Sequence, residues 1–153
     1  MPINLYGIHD NFHLGNSHVI PGMMRRIHEA KMADLPEVEI WGSGLTKREF
    51  LFVDDLVEAC LFLLDYDKYY SPVNIGSQEE VSIRELAIMM NEVVGYKGRL
   101  AFDTSKPDGM TLKKVDPSKM DALGWKARTP LREGLQKVYC WFLTNNISKN
   151  NKS

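Results

Sequence analysis

Apolar positions fall in two rhythms along this chain, one of period two and one of period three to four, separated by polar and glycine-containing breaks. The run Ile3-Asn4-Leu5-Tyr6-Gly7 predicts a buried strand that opens into a polar loop over His9 to Asn16. From Ser17 the rhythm becomes helical, with Ile20, Met23, Met24 and Ile27 on one face and Arg25, Arg26, His28 and Lys31 turned outward. Val38-Glu39-Ile40-Trp41 alternates as a strand and stops at Gly42-Ser43-Gly44, and Glu49 to Val53 reads as a second extended segment. Asp54 is placed to cap a helix with Leu56, Cys60, Leu63 and Leu64 on its apolar side, ending near Asp67.

Pro72 to Gly76 predicts a short strand, and Ser82-Ile83-Arg84-Glu85 has the spacing of a capping box, with Gly95 stopping the helix that follows. Leu100-Ala101-Phe102 reads as a strand, Asp103 to Thr111 as a loop, and Asp116-Pro117 to Gly124 as a short helix. Thr129 as cap and Pro130 in the first turn begin the last helix, which carries Leu131, Leu135, Val138, Trp141 and Phe142 inward. Strands and helices alternate without an internal repeat, so the expected class is α/β, with strands that need not share one sheet. Residues 1–147 form one expected domain, and the polar end, 148–153, reads as a disordered tail.

Length and charge narrow the partners. A chain of 153 residues has room for one core. Its 19 basic and 20 acidic residues leave no global field to draw it to nucleic acid or an anionic membrane, so a small molecule is the expected partner. No apolar run approaches the roughly 18 residues of a membrane span. Cys60 and Cys140 sit in apolar helical patterns, which predicts buried thiols in a reducing, cytoplasmic setting.

Several residues carry candidate chemistry. His18 stands at a helix start, where it could act as an acid or base near neutral pH or be an ordinary surface histidine. His9, His13 and His18 have no cysteine near them and do not make a persuasive metal set. Gly42-Ser43-Gly44 lacks the third glycine of a dinucleotide fingerprint and reads as a tight turn. Arg48 enters an apolar strand, where a guanidinium could clamp phosphate oxygens bidentately. Trp41 suits either the core or the face of a base or sugar, and Lys106-Pro107-Asp108-Gly109 is a turn whose carboxylate could bind hydroxyls.

Taken in order, Asn4-Leu5-Tyr6-Gly7, His9-Asp10-Asn11-Phe12-His13, Asn16-Ser17-His18-Val19-Ile20-Pro21, Trp41-Gly42-Ser43-Gly44, Arg48-Glu49-Phe50-Leu51 and Ser105-Lys106-Pro107-Asp108-Gly109 resemble the GDP-L-fucose synthase family. That family belongs to the extended short-chain dehydrogenase/reductases, and the resemblance runs from Pro2 to about Asn145. It implies the C-terminal, substrate-binding domain of such an enzyme, with the last strands of a Rossmann sheet near 2–6 and 72–76 and the N-terminal Rossmann region absent. The implied reaction converts GDP-4-dehydro-6-deoxy-D-mannose to GDP-L-fucose by epimerisation at C3 and C5 and reduction of the C4 ketone with NADPH. By resemblance His18 is the epimerisation acid/base beside the nicotinamide, Pro2, Ile3, Asn4 and Leu5 line the NADP, and Arg26, Trp41, Arg48 and Asp108 contact the GDP-sugar. A homodimer is implied for the full-length enzyme.

The family's glycine-rich NADP loop, catalytic Ser, Tyr-x-x-x-Lys pair and epimerase Cys lie upstream of the matching region, and no Tyr here has Lys four positions later. Without that acid nothing neutralises the alkoxide formed by hydride transfer, so the chain alone is expected to be inactive. Ile3, Ile8 and Phe52 depart from the family's usual Thr, Pro and His, and Gly22 falls within a helix. Two rival readings remain: a related nucleotide-sugar epimerase or dehydratase, and a non-catalytic GDP-sugar-binding fragment or split subunit.

Overall fold

The computed structural model describes residues 1–65, 72–108, 112–113 and 115–150. Its first strand, β1 (Asn4–Tyr6), is followed by the helix α1 (Val19–Met32) and by β2 (Glu37–Trp41). Then come β3 (Lys47–Phe52), α2 (Val53–Leu64), β4 (Glu80–Ser82), α3 (Ile83–Val94) and β5 (Arg99–Asp103). The chain finishes with β6 (Leu112–Lys113), α4 (Ser118–Leu123) and α5 (Leu131–Asn150). The architecture is α/β, as the alternating rhythm predicts.

The sheet is organised around β3, whose two halves have different partners. Its C-terminal half pairs in parallel with β1, from Asn4 opposite Phe50 to Tyr6 opposite Phe52. The N-terminal half pairs antiparallel with β4 and in parallel with β6. β1 extends backwards through a parallel bridge between Pro2 and Ile75, where the Ile3 N–H donates to the Ile75 carbonyl at 3.1 Å and the Ile75 N–H to the Met1 carbonyl at 2.9 Å. The strand expected near 2–6 forms as β1, but the one expected over Pro72 to Gly76 is reduced to this single bridge at Ile75. β2 and β5 form a separate parallel ladder, from Glu37 opposite Arg99 to Trp41 opposite Asp103.

Two clusters of buried apolar side chains follow this division. The larger one joins α1, α3 and α5 through Met24, Ile27, Leu86, Met90 and Leu135, over strand residues such as Ile40 and Phe50. A smaller one holds Ile3, Leu51, Ala59, Val73, Ile75, Met120 and Trp125 together beneath α2 and α4. α3 has the predicted capping box with both reciprocal bonds between Ser82 and Glu85, and Gly95 ends it in the left-handed conformation. Lys31 of α1 donates to the Val94 carbonyl at 2.7 Å, placing a cation on the negative end of α3.

α5 is fastened at its start by two carboxylates from elsewhere in the chain. Asp55, only 3% exposed, accepts from the Thr129 N–H at 3.0 Å, the Thr129 hydroxyl at 2.9 Å and the Arg128 N–H at 3.3 Å. Glu79 accepts from the Leu131 N–H at 3.1 Å. Negative charge at a helix N-terminus is favourable, and these bonds satisfy backbone donors the helix cannot. One turn on, Gly134 lies so close to the Tyr6 hydroxyl that a Cβ would overlap it. Tyr6 donates to the Leu131 carbonyl at 3.4 Å, and burial, helped by the charges of Glu79, Asp55 and Glu133, pushes its hydroxyl pKa up.

Several expectations are corrected here. Asp54 does not cap α2, whose N-cap residue is Phe52 with no side-chain bond; Asp54 lies in the first turn, where its charge suits the dipole. Thr129 does not stand at the cap position of α5 either: the helix begins at Leu131, the Pro130 carbonyl accepts its first helical N–H from Gly134, and the Thr129 hydroxyl donates to Asp55. Cys60 and Cys140 are exposed free thiols: Cys60 shares the uncovered side of α2 with Leu61 and the 77% exposed Leu64, and Cys140 lies off the buried face of α5 that holds Leu135, Val138 and Phe142. His28 is turned toward α5 instead of outward, with Nδ1 3.0 Å from the Tyr139 hydroxyl and its ring edge-on to Phe142. β4, with three residues, is too short for a period to register in the sequence. The expected end of α2 near Asp67 lies outside the described residues, and α5 continues to Asn150, into the segment that composition assigns to a tail.

Candidate functional site

Two clefts open side by side where β1, β3 and the start of α1 meet. One, of about 470 Å³, is lined by Ile3, Asn4 and Leu5 from β1 and the residue before it, by His9 and Asp10 of the following loop, and by Phe50. The other, of about 420 Å³, is lined by Arg26 of α1, Trp41 and Gly44 around the β2 turn, Thr46, and Pro107 with Asp108. His18, Val19 and Arg48 belong to both linings, so they form the wall the two clefts share. Each volume falls within the usual range for a small-molecule site, roughly 300–1,000 Å³.

His18 is the N-cap residue of α1, with extended backbone (ψ 171°), and its side chain does not bond the first turn of the helix. Its carbonyl accepts the first helical N–H, from Gly22 at 3.0 Å. The imidazole is exposed, and a histidine held this way is placed to exchange protons with a bound molecule. Arg48 lies on β3 with its guanidinium donating to the Lys47 carbonyl at 2.7 Å. On the first-cleft side of the wall, Asn4 is fixed by a bond from its side-chain amide to the Glu49 carbonyl at 2.9 Å.

Trp41 is 58% exposed, which settles the choice between core and surface. Its indole N–H donates to Glu39 at 2.8 Å, the Arg26 guanidinium lies 5.0 Å from the ring centre and the Lys106 ammonium 6.0 Å. An exposed aromatic ring with two cations close to it suits a planar, anionic ligand. Immediately after it, Gly42 and Gly44 take φ of +86° and +77°, which only glycine adopts without strain. A Cβ on Gly44 would also sit 2.7 Å from the Phe102 ring.

The structure gathers eight of the nine residues named from the sequence at these two clefts. Ile3, Asn4 and Leu5 line the first; Arg26, Trp41 and Asp108 line the second; His18 and Arg48 stand between them. Pro2 is not among the lining residues; it bridges to Ile75 instead. Ser43, Thr46 and Arg84, which sequence reasoning passed over, also shape the second cleft or its turn. The only signal for Ser43 was its place between two glycines.

The other histidines are used locally. His13 Nδ1 accepts from the Gly15 N–H at 3.2 Å, and His9 packs edge-on against Trp141 at 4.8 Å. Among the described residues no group of three His, Cys, Asp or Glu side chains could hold a metal ion. No helix among them is long and apolar enough to cross a membrane. Phe52, in the position where the resembling family has His, is buried edge-on to Tyr6 at 5.5 Å and contributes apolar packing there.

Comparison with known proteins places the chain by sequence and by fold. The model of the NAD dependent epimerase/dehydratase family matches residues 1–76. GDP-L-fucose synthase 1 of Arabidopsis thaliana is 54% identical over 145 residues, covering 95% of this chain and 45% of the relative. GDP-L-fucose synthase of Escherichia coli strain K12 is 46% identical over 154 residues, with 95% and 48% covered. A solved GDP-L-fucose synthetase from Naegleria fowleri bound to NADP superposes with a TM-score of 0.89 at 29% identity, over 96% of this chain and 46% of that one. The chain thus spans about half the length of the relatives it matches. By sequence and by fold, it belongs to the NAD dependent epimerase/dehydratase family, among its GDP-L-fucose synthase-like members.

Proposed function

We propose that this chain is the C-terminal, substrate-binding part of a GDP-L-fucose synthase, which converts GDP-4-dehydro-6-deoxy-D-mannose to GDP-L-fucose with NADPH. The observation that carries the reading is the shared wall. His18 and Arg48 stand between a cleft lined by Ile3, Asn4 and Leu5 and a second one lined by Arg26, Trp41 and Asp108. A reaction between a dinucleotide and a nucleotide-sugar needs two adjoining clefts of this kind, with a proton-transfer group where they meet.

The residues present fit the nicotinamide end of NADP, because the first cleft combines apolar side chains with a histidine and the strand segment of Ile3 to Leu5. NADPH would supply the hydride that reduces the C4 ketone. In the second cleft Arg26 and Arg48 bring positive charge for the diphosphate, Trp41 offers a flat face, and Asp108 accepts from hydroxyl or base donors. His18 would exchange the proton on one face of the sugar carbons beside the ketone during epimerisation, with the epimerase Cys of the upstream region serving the opposite face. The ketone makes those protons acidic, and an imidazole placed beside them can serve in their transfer.

The Tyr-x-x-x-Lys acid, the catalytic Ser, the epimerase Cys and the glycine-rich loop would come from an upstream Rossmann region. The complete protein would act in the cytoplasm as a homodimer, as the resemblance implies. Joining this chain to the upstream half of a relative and following NADPH oxidation with GDP-4-dehydro-6-deoxy-D-mannose tests the reading. Activity is expected only in the joined protein, with His18→Asn abolishing epimerisation. Activity of the chain by itself, or of a joined protein that is indifferent to His18, would overturn it.

A further inference from the structure

Ser43 sits at the centre of a hydrogen-bonded knot beside the second cleft, and every polar atom it has is used. Its N–H donates to Asp108 Oδ1 at 2.6 Å, and its hydroxyl donates to Asp108 Oδ2 at 2.8 Å. The hydroxyl also accepts from the Leu45 N–H at 3.1 Å. Its carbonyl accepts from the Arg84 guanidinium at 2.9 Å, which is itself stacked 3.9 Å over the Phe102 ring. A Cβ on Gly42 would overlap Asp108 Oδ1, so the turn can receive this carboxylate only with glycine there.

The consequence reaches the loop that carries Asp108. That loop leaves β5 at Asp103, whose carbonyl accepts from both Gly42 at 2.9 Å and Lys106 at 3.2 Å. It is therefore tied to the β2 turn at both ends, at Asp103 by backbone and at Asp108 by Ser43. Between those ties it brings Lys106 within 6.0 Å of the Trp41 ring and Pro107 into the cleft wall. Each oxygen of the Asp108 carboxylate accepts one bond from Ser43 and keeps further acceptor capacity, so the latched group can still receive a donor from a ligand.

We infer that Ser43 is a positioning residue for nucleotide binding: through the Asp108 carboxylate it latches the Asp103 to Asp108 loop against Trp41, orienting Asp108 and holding Lys106 over the nucleotide side of the cleft. The ligand class is a nucleoside diphosphate, and the inference rests on the proposed function for that identity. It adds a residue with no direct ligand contact that acts through an acidic one.

The test pairs two measurements on Ser43→Ala, Ser43→Thr, Asp108→Ala and the double Ser43→Ala/Asp108→Ala chain. One is GDP affinity by calorimetry; the other is amide hydrogen exchange over the loop. Removing a hydroxyl bonded to a carboxylate should weaken GDP binding about 10-fold and speed loop exchange by a similar factor. Threonine, which keeps the hydroxyl, should restore both to within about twofold. The double variant should bind no more weakly than Asp108→Ala alone. Unchanged loop exchange in Ser43→Ala, failure of threonine to rescue, or additive losses in the double variant would each overturn the latch. If the unsubstituted chain does not bind GDP, the nucleotide assignment fails, and loop exchange in Ser43→Ala alone decides whether the latch exists.

Discussion

α5 and α2 are both rich in apolar residues, yet one is enclosed and the other is half bare. Around α5, Leu135 and Val138 are buried against α3 and the sheet, and Asp55 and Glu79 satisfy its first turn. On α2, Val57, Leu61 and Leu64 stay exposed with Cys60, at the spacing of a single helical stripe. Only its opposite face, through Ala59 and Leu56, reaches the smaller cluster under β1. The half of the molecule around α5 is thus closed within this chain, whereas the half around α2 is one layer short. A stripe of this kind is what the proposed upstream region would cover, and in the chain alone it favours self-association.

That contrast can be broken by identical substitutions on the two sides. The largest expected effect is loss of Cys60 labelling. In a Cys140→Ser background, Cys60 should react readily with a thiol reagent in the chain alone and become protected once the upstream half is joined. Equal reactivity in both would mean that α2 is not the covered face. Leu135→Ala should lower stability by about 2–5 kcal/mol, as expected for a fully buried leucine, with urea unfolding as the measure. The same change at Leu61 should alter it by no more than about 0.5 kcal/mol. A large Leu61 effect would show that α2 already has a partner, such as a second copy.

Gly134→Ala sharpens the comparison from the packed side. The new methyl meets the Tyr6 hydroxyl, a rigid neighbour, so we expect a loss of about 1–3 kcal/mol although alanine is the better helix former. Ser82→Ala should cost about 1 kcal/mol by removing one half of the α3 capping box. Both are read from the midpoint of the same urea transitions. A Gly134→Ala chain more stable than the unsubstituted one would mean that helix propensity outweighs the contact.

The same two regions explain what was legible in the residues. Long helices announced themselves by period, and the caps at Ser82 and Gly95 were readable because their chemistry is local. The candidate site residues come from the resemblance, and the structure brings eight of the nine to the paired clefts. What escaped depends on contacts far apart in the chain. Asp55 meets Thr129 across 74 positions and Ser43 meets Asp108 across 65. Neither leaves a mark on local pattern. The cysteines were misplaced because period gives the direction of an apolar face but does not reveal whether anything lies against it.

The smallest effect concerns His28, which links α1 to α5 within the closed region. Burial pushes its pKa below the usual 6.5, the nearby charge of Lys31 pushes the same way, and Glu29 opposes them. Its ring faces Tyr139 and Phe142 from α5, so no carboxylate of that helix is in ring contact to favour the charged form. The unfolded chain therefore takes up this proton at a higher pH than the folded one, and stability rises with pH across the gap. The contribution is complete above 6.5 and is lost as pH falls through the lowered native value. Glu85 is shifted downward from 4.5, chiefly by its bond from the Ser82 N–H and then by the Ser82 hydroxyl, so its own acid-side loss starts lower. His28→Gln should flatten the decline in melting temperature just below pH 6.5 while leaving the Glu85 region unchanged. An unchanged slope in that variant would place the acid sensitivity outside the α1 to α5 contact.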